Sequence, residues 1–134
     1  MHFTAGALIV DNFKKPQKFL IIKKRKHPYL YDVVAGHISK KETPLETLTR
    51  EVGEEAGGLI KQRKLLLDIV INPDPCRRGI DIHHWFLYLC TLKNEITPDK
   101  DEVADIKWYS QAELQDLEFV SPTRKMLRIL KLIE

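Results

Sequence analysis

The chain has 134 residues, 43% of them hydrophobic and 31% charged, the size and balance of one domain that can bury a single core. Its net charge of +3, from 22 Lys and Arg against 19 Asp and Glu, is too small for a sequence-independent nucleic-acid binder and argues against a nucleic-acid partner. Cys76 and Cys90 are isolated, with no CxxC spacing, which argues against a zinc module or disulfide framework and fits a reducing, cytoplasmic setting.

In chain order, Met1 to Val10 carries no basic segment followed by a long apolar run, and no segment approaches the ~20 apolar residues of a membrane span. A soluble protein with no membrane partner is expected. Phe3 to Val10 and Lys18 to Ile22 are apolar, β-branched runs separated by the turn-forming Asp11 to Gln17, so the fold should open with a hairpin. The basic run Lys23-Lys24-Arg25-Lys26 follows, and Tyr31 to Ala35 predicts a further strand before Gly36. Thr43-Pro44-Leu45-Glu46 is a helix start in which Thr43 caps, Pro44 suits the first helical position and Glu46 completes a capping box. A helix over Pro44 to Ala56 follows, ended by Gly57-Gly58. Leu65 to Ile71 and His84 to Leu92 predict two longer strands around a Pro- and Gly-containing loop, Asn72 to Gly79. Asp105 to Tyr109 predicts a last strand and Ser110 to Glu113 a second capping box. Ser121-Pro122 opens a third helix with Met126, Leu127, Leu130 and Ile133 on one apolar face. No repeat or linker interrupts the chain, so one mixed α/β domain over residues 1–134 is expected.

The helix over Pro44 to Ala56 carries the chemistry. At ~100° per residue, Glu51 and Glu55 lie one turn apart on nearly one line with Glu54 adjacent, while Leu45, Leu48, Val52 and Ala56 fall on the flank. A Glu-Glu pair on a helix is often only a solvated face. Three carboxylates on one face repel one another, however, and a divalent cation relieves that repulsion. The acidic face also follows a strand, a glycine turn and the eight-residue loop Gly36 to Thr43, and its helix holds its own arginine, Arg50.

Gly36, Glu42, Arg50-Glu51, Val52, Glu54-Glu55 and Gly57 reproduce the pattern Gly-x5-Glu-x7-Arg-Glu-U-x-Glu-Glu-x-Gly-U, where U is apolar. On these residues the chain resembles the Nudix hydrolase family. The one departure is the final U, where Gly58 stands with Leu59 after it. The resemblance implies a Nudix fold, a mixed sheet sandwiched between helices. It further implies that Glu51, Glu54 and Glu55 bind Mg²⁺ or Mn²⁺ with backbone help from Gly36, that Arg50 and Glu42 hold those carboxylates, and that a phosphoanhydride bond is hydrolysed. For the general base it leaves Glu51, Glu54 and Glu102 open, Glu102 being equally readable as an ordinary acid of the run Asp99 to Asp105. Relatives are often homodimers, which is the assembly the resemblance implies.

The substrate expected is a nucleoside triphosphate or another small nucleoside diphosphate derivative. Lys23 and Arg25 are candidate phosphate ligands, with a solubilising strand end as the plainer alternative. Tyr29 and Tyr31 are candidates to stack on a base, or packing residues. Arg77 and Arg78 stand in the loop where relatives carry selectivity. Two other readings stay open: a hydrolase of a non-nucleotide or capped-RNA diphosphate, and a domain that senses a nucleotide without cleaving it. The start of the box, Ala35-Gly36-His37, resembles relatives of isopentenyl diphosphate isomerase, but Ala35 stands where that isomerase needs a cysteine.

Overall fold

The apolar runs assemble into one sheet because both of its sides find cover. The computed structural model describes residues 2–72, 82–98, 101 and 103–134. Among these residues seven strands form a single sheet: β1 His2–Val10, β2 Lys18–Lys24, β3 Tyr31–Asp32, β4 Val34–His37, β5 Ile60–Ile71, β6 His83–Leu92 and β7 Val103–Ser110. Strand β1 is the hub. It runs parallel to β6 from His2↔His83 to Ile9↔Cys90. Its other side pairs antiparallel with β4, from Thr4↔His37 to Ala7↔Val34, and then with β2 at Ile9↔Leu20 and Val10↔Phe19. Strand β2 also carries β3 and β7, and β5 pairs with β6 as an edge.

Thr4 to Val10 are all buried, so alternate side chains of β1 enter two different cores. On one face Ala7, Ile9, Leu20, Ile22, Val34, Cys90 and Val103 pack under Leu48, Val52 and Ala56 of the first helix. On the other, Leu8, Val10, Phe19, Ile21, Val33, Trp85 and Leu87 meet Leu114, Phe119, Met126 and Leu127. These last residues belong to or adjoin α2 Gln111–Leu114 and α3 Ser121–Ile129. The result is the expected mixed sheet between helices.

Several elements differ from the sequence expectation. The helix expected over Pro44 to Ala56 is α-helical only over α1, Pro44–Glu51, and continues as a π turn, Val52–Ala56. Leu45 stays 36% exposed, so the apolar flank begins at Leu48. The strand expected over Tyr31 to Ala35 splits, because the chain passes from β2 to β1 between Asp32 and Val34 and the Asp32 carboxylate accepts the Val33 N–H at 2.8 Å. Strand β5 begins at Ile60, before the expected Leu65; the run Lys61-Gln62-Arg63-Lys64 is exposed, and charge without apolar alternation is how an edge strand reads. Helix α3 ends at Ile129 rather than reaching Ile133, since Lys131 adopts φ 61 and the Leu132 N–H returns to the Leu127 carbonyl at 2.9 Å. Leu130 and Ile133 still pack on the core.

Candidate active site

The start of α1 is fixed by its cap: the Glu46 N–H donates to Thr43 Oγ1 at 3.2 Å, and the Thr43 N–H donates to Glu46 Oε1 at 2.9 Å. That cap holds Glu42, its chain neighbour, against the helix. Arg50, two turns on, reaches back in a two-pronged contact, Nε to Glu42 Oε2 at 2.8 Å and Nη2 to Glu42 Oε1 at 2.9 Å. The Thr47 hydroxyl donates to the same Glu42 Oε1 at 2.9 Å. The guanidinium beside Glu42 holds that carboxyl well below the usual carboxylate range, and Glu42 in turn raises Arg50.

The same guanidinium orders the acids. Its Nη1 donates to Glu51 Oε1 at 2.8 Å and to Glu54 Oε2 at 3.4 Å, and Nη2 donates to the His37 carbonyl at 3.4 Å. One cation therefore spans the box, from the β4 backbone to Glu54. Glu51 lies flat against Gly36: a Cβ on that glycine would fall 2.0 Å from Glu51 Oε1. Glu55 turns inward, its Oε1 accepting the Ala35 N–H at 3.0 Å, and its carboxyl is pushed up to about 8 by burial first and by the charge of Glu51 second. Glu54, by contrast, keeps 48% of its side chain exposed.

Both glutamates sit in the π turn Val52–Ala56, and π turns within helices recur at functional sites. Its exit is clasped by the segment after β6. Gly57 has φ 65, and the Asn94 Nδ2 and Thr97 Oγ1 donate to its carbonyl at 3.3 and 3.1 Å. A Cβ on Gly58 would meet Leu92 Cδ1 at 2.8 Å. Leu92 of β6 thus fills the space that an aliphatic residue at position 58 would occupy, which accounts for the departure in the sequence pattern.

A model of the NUDIX domain matches residues 1–130. The chain belongs to the NUDIX family. Among curated relatives, a Lactococcus lactis subsp. cremoris protein named "Probable DHNTP pyrophosphohydrolase" is 37% identical over 71 residues, 52% of this chain and 39% of its own length. A Mycobacterium tuberculosis protein named as a mutator, MutT4, is 28% identical over 118 residues, 83% of this chain and 47% of its own length. The chain thus spans less than half the length of these curated relatives. Among solved structures, the NUDIX domain of Shewanella oneidensis NrtR in complex with ADP ribose superposes with a TM-score of 0.77 at 17% identity, over 96% of this chain and 85% of that one, a likeness of fold.

The NUDIX box is therefore folded as a unit in which Gly36, Glu42, Arg50, Glu51, Glu54 and Glu55 converge. Its donors are carboxylate oxygens, two of them held by Arg50 and the third carrying an elevated pKa beside Glu51, which suits a hard divalent cation such as Mg²⁺ or Mn²⁺.

The other candidates scatter. Lys23 lies over the Tyr31 ring, 5.7 Å from its centroid, and Tyr31 packs edge-on against Tyr109 at 6.3 Å in the α3-side core, across the sheet from α1. Burial pushes the Tyr109 hydroxyl up to about 12, Tyr31 adding to the effect. Arg25 donates through Nη2 to the Val103 carbonyl at 3.3 Å. Tyr29 is 52% exposed, in a turn with φ 60, its ring edge-on to His27 at 5.6 Å. Arg77, Arg78, Cys76 and Glu102 lie outside the described residues.

The sequence offers Lys24 only as one cation of the basic run Lys23 to Lys26, and it gives no sign of Asp32. Lys24 Nζ stands 3.8 Å from Asp32 Oδ2, and both charges act on Glu55, Lys24 lowering its pKa and Asp32 raising it. Strand alternation held the signal: Leu20 and Ile22 point to the α1 side, and the next even position is Lys24.

Proposed function

We propose that this NUDIX domain is a divalent-metal-dependent pyrophosphohydrolase whose substrate is a nucleoside triphosphate or another nucleoside diphosphate linked to a second group. Glu51, Glu54 and Glu55 would hold Mg²⁺ or Mn²⁺. The ion, once bound, supplies charge neutralisation on the diphosphate and acidifies a bound water. What the chain itself contributes is preorganisation. Arg50 sets Glu51 and Glu54 before substrate arrives, Glu42 fixes Arg50, and Gly36 gives Glu51 room against β4. Lys24, beside Glu55 at the end of β2, offers a cation toward phosphate oxygens, and we assign it that role ahead of Lys23 and Arg25. Proton removal from water falls to Glu54, the exposed acid, or to Glu102. The observation that carries this reading is the single Arg50 guanidinium bonded to Glu42, Glu51 and Glu54 at once. The curated relative named as a probable DHNTP pyrophosphohydrolase supports the reaction class.

The test is product chromatography on a panel of nucleoside triphosphates, dihydroneopterin triphosphate, sugar nucleotides, ADP-ribose, dinucleoside polyphosphates and capped RNA, with Mg²⁺, Mn²⁺ or chelator. Metal-dependent cleavage of one class is expected. Glu54→Gln should lower that turnover by about 100-fold or more without shifting the melting temperature, and Glu102→Gln, assayed beside it, identifies which acid takes the proton. Tight, metal-dependent nucleotide binding with no cleavage by the unmodified protein would instead make this a sensing domain.

A further inference from the structure

The side of the sheet away from the acidic helix carries a second cluster with metal-binding chemistry. His2 opens β1, His37 ends β4 and His83 opens β6. His2 is paired directly with His83, and His37 is paired with Thr4, the next β1 residue on the same face. The three rings meet at one end of the sheet, with centroids 5.3 Å (His2–His37), 5.2 Å (His2–His83) and 5.3 Å (His37–His83) apart. One ring nitrogen from each lies within 4.8 Å of those of the other two.

We propose that His2, His37 and His83 form a three-histidine site for a borderline transition ion of the Zn²⁺ or Co²⁺ type, distinct from the carboxylate site of the box. Three features carry this. Zn–N bonds of about 2.0–2.1 Å place tetrahedral ligand nitrogens roughly 3.3 Å apart, so ring rotations alone bring the three into range while the strands stay fixed by register. The Thr4 hydroxyl lies 3.3 Å from His83 Nδ1, which orients that ring and gives the ligand role to Nε2, the outer support that metal-bound histidines have. Burial is graded from His83, buried, through His2, half-buried, to His37, exposed, so an ion enters from the His37 side and keeps a fourth position open to water. Imidazole donors take Zn²⁺, Co²⁺ or Ni²⁺ where carboxylates take Mg²⁺, and the two sites therefore sort ions by chemistry. They are one residue apart: Gly36 faces Glu51, and the carbonyl of His37 accepts from Arg50.

The experiment uses protein free of any polyhistidine tag, in Mg²⁺ sufficient to fill the acidic site. Titration with Co²⁺ is followed by visible absorption, and Zn²⁺ is titrated calorimetrically. One equivalent of Zn²⁺ that displaces Co²⁺ and its absorption bands is expected, lost in His37→Ala and in His2→Ala, and retained in Glu54→Gln. In the unmodified protein, Zn²⁺ should shift the ring-nitrogen resonances of His2, His37 and His83 and leave those of His27 and His84 in place, a readout that needs no variant to fold. Absence of binding overturns the proposal, leaving three rings that merely pack together. So does binding that survives both histidine variants or disappears in Glu54→Gln.

Discussion

At the scale of single residues, the site depends on fits with no slack. Gly36 is the sharpest case. With Glu51 Oε1 only 2.0 Å from where a Cβ would sit, Gly36→Ala must push the carboxylate away or move β4. We expect a loss of about 1–3 kcal/mol in denaturant unfolding, together with weaker Mg²⁺ binding measured calorimetrically on the same sample. Glu55 sets a pH dependence. Its carboxyl lies at about 8 in the folded protein against an ordinary 4.5, so between those values the folded chain holds a proton that the unfolded chain has released. The stability this group contributes is complete below pH 4.5 and is lost as pH rises through about 8. Urea unfolding in chelator should therefore show stability falling with pH across that window, by at most about 1.4 kcal/mol per pH unit. Glu55→Gln should flatten the slope; an unchanged slope would mean that Glu55 is not the group responsible.

At the scale of elements, α1 is a precision mount whose accuracy is set at its ends. Thr43→Ala removes the cap that holds Glu42 beside the helix; a cost of about 1 kcal/mol in thermal unfolding is expected, with turnover falling further than stability because the Arg50 contacts loosen. The start of α1 was readable in the sequence, since Thr43, Pro44 and Glu46 act locally, and so was the second cap at Ser110 and Glu113. The box acids could be picked out by their spacing but their directions could not: Glu51 ends α1, while Glu54 and Glu55 sit in the π turn, one exposed and the other turned inward. What local pattern could not carry was geometry set by distant partners. The break at Val33 is made by a switch from β2 to β1, the π turn is clasped by Asn94 and Thr97, and the space at position 58 is filled by Leu92. Lys24 and Tyr31 teach the same lesson: alternation along a strand, not nearness to the motif, decided which face each side chain reached.

At the scale of the whole molecule, the two cores share one sheet and the acidic box occupies one side of it, with α3 packed on the other. Among the described residues no helix is long and apolar enough to cross a membrane. The sheet's hub is β1, and its longest partnership is the parallel ladder with β6, more than 80 positions along the chain. That single arrangement governs how the fold can be reached. Parallel pairing across so long a loop has a high closure cost before any contact rewards it, so folding on the millisecond-to-second scale is expected in stopped-flow refolding rather than the microseconds of a helical bundle. A fragment stopped at Asn72 contains β1 to β5 but not β6, and its circular dichroism should be that of an unfolded chain. During synthesis the same order holds: β1 emerges more than 80 residues ahead of β6, so one apolar edge of β1 stays open to aggregation until its parallel partner has been made.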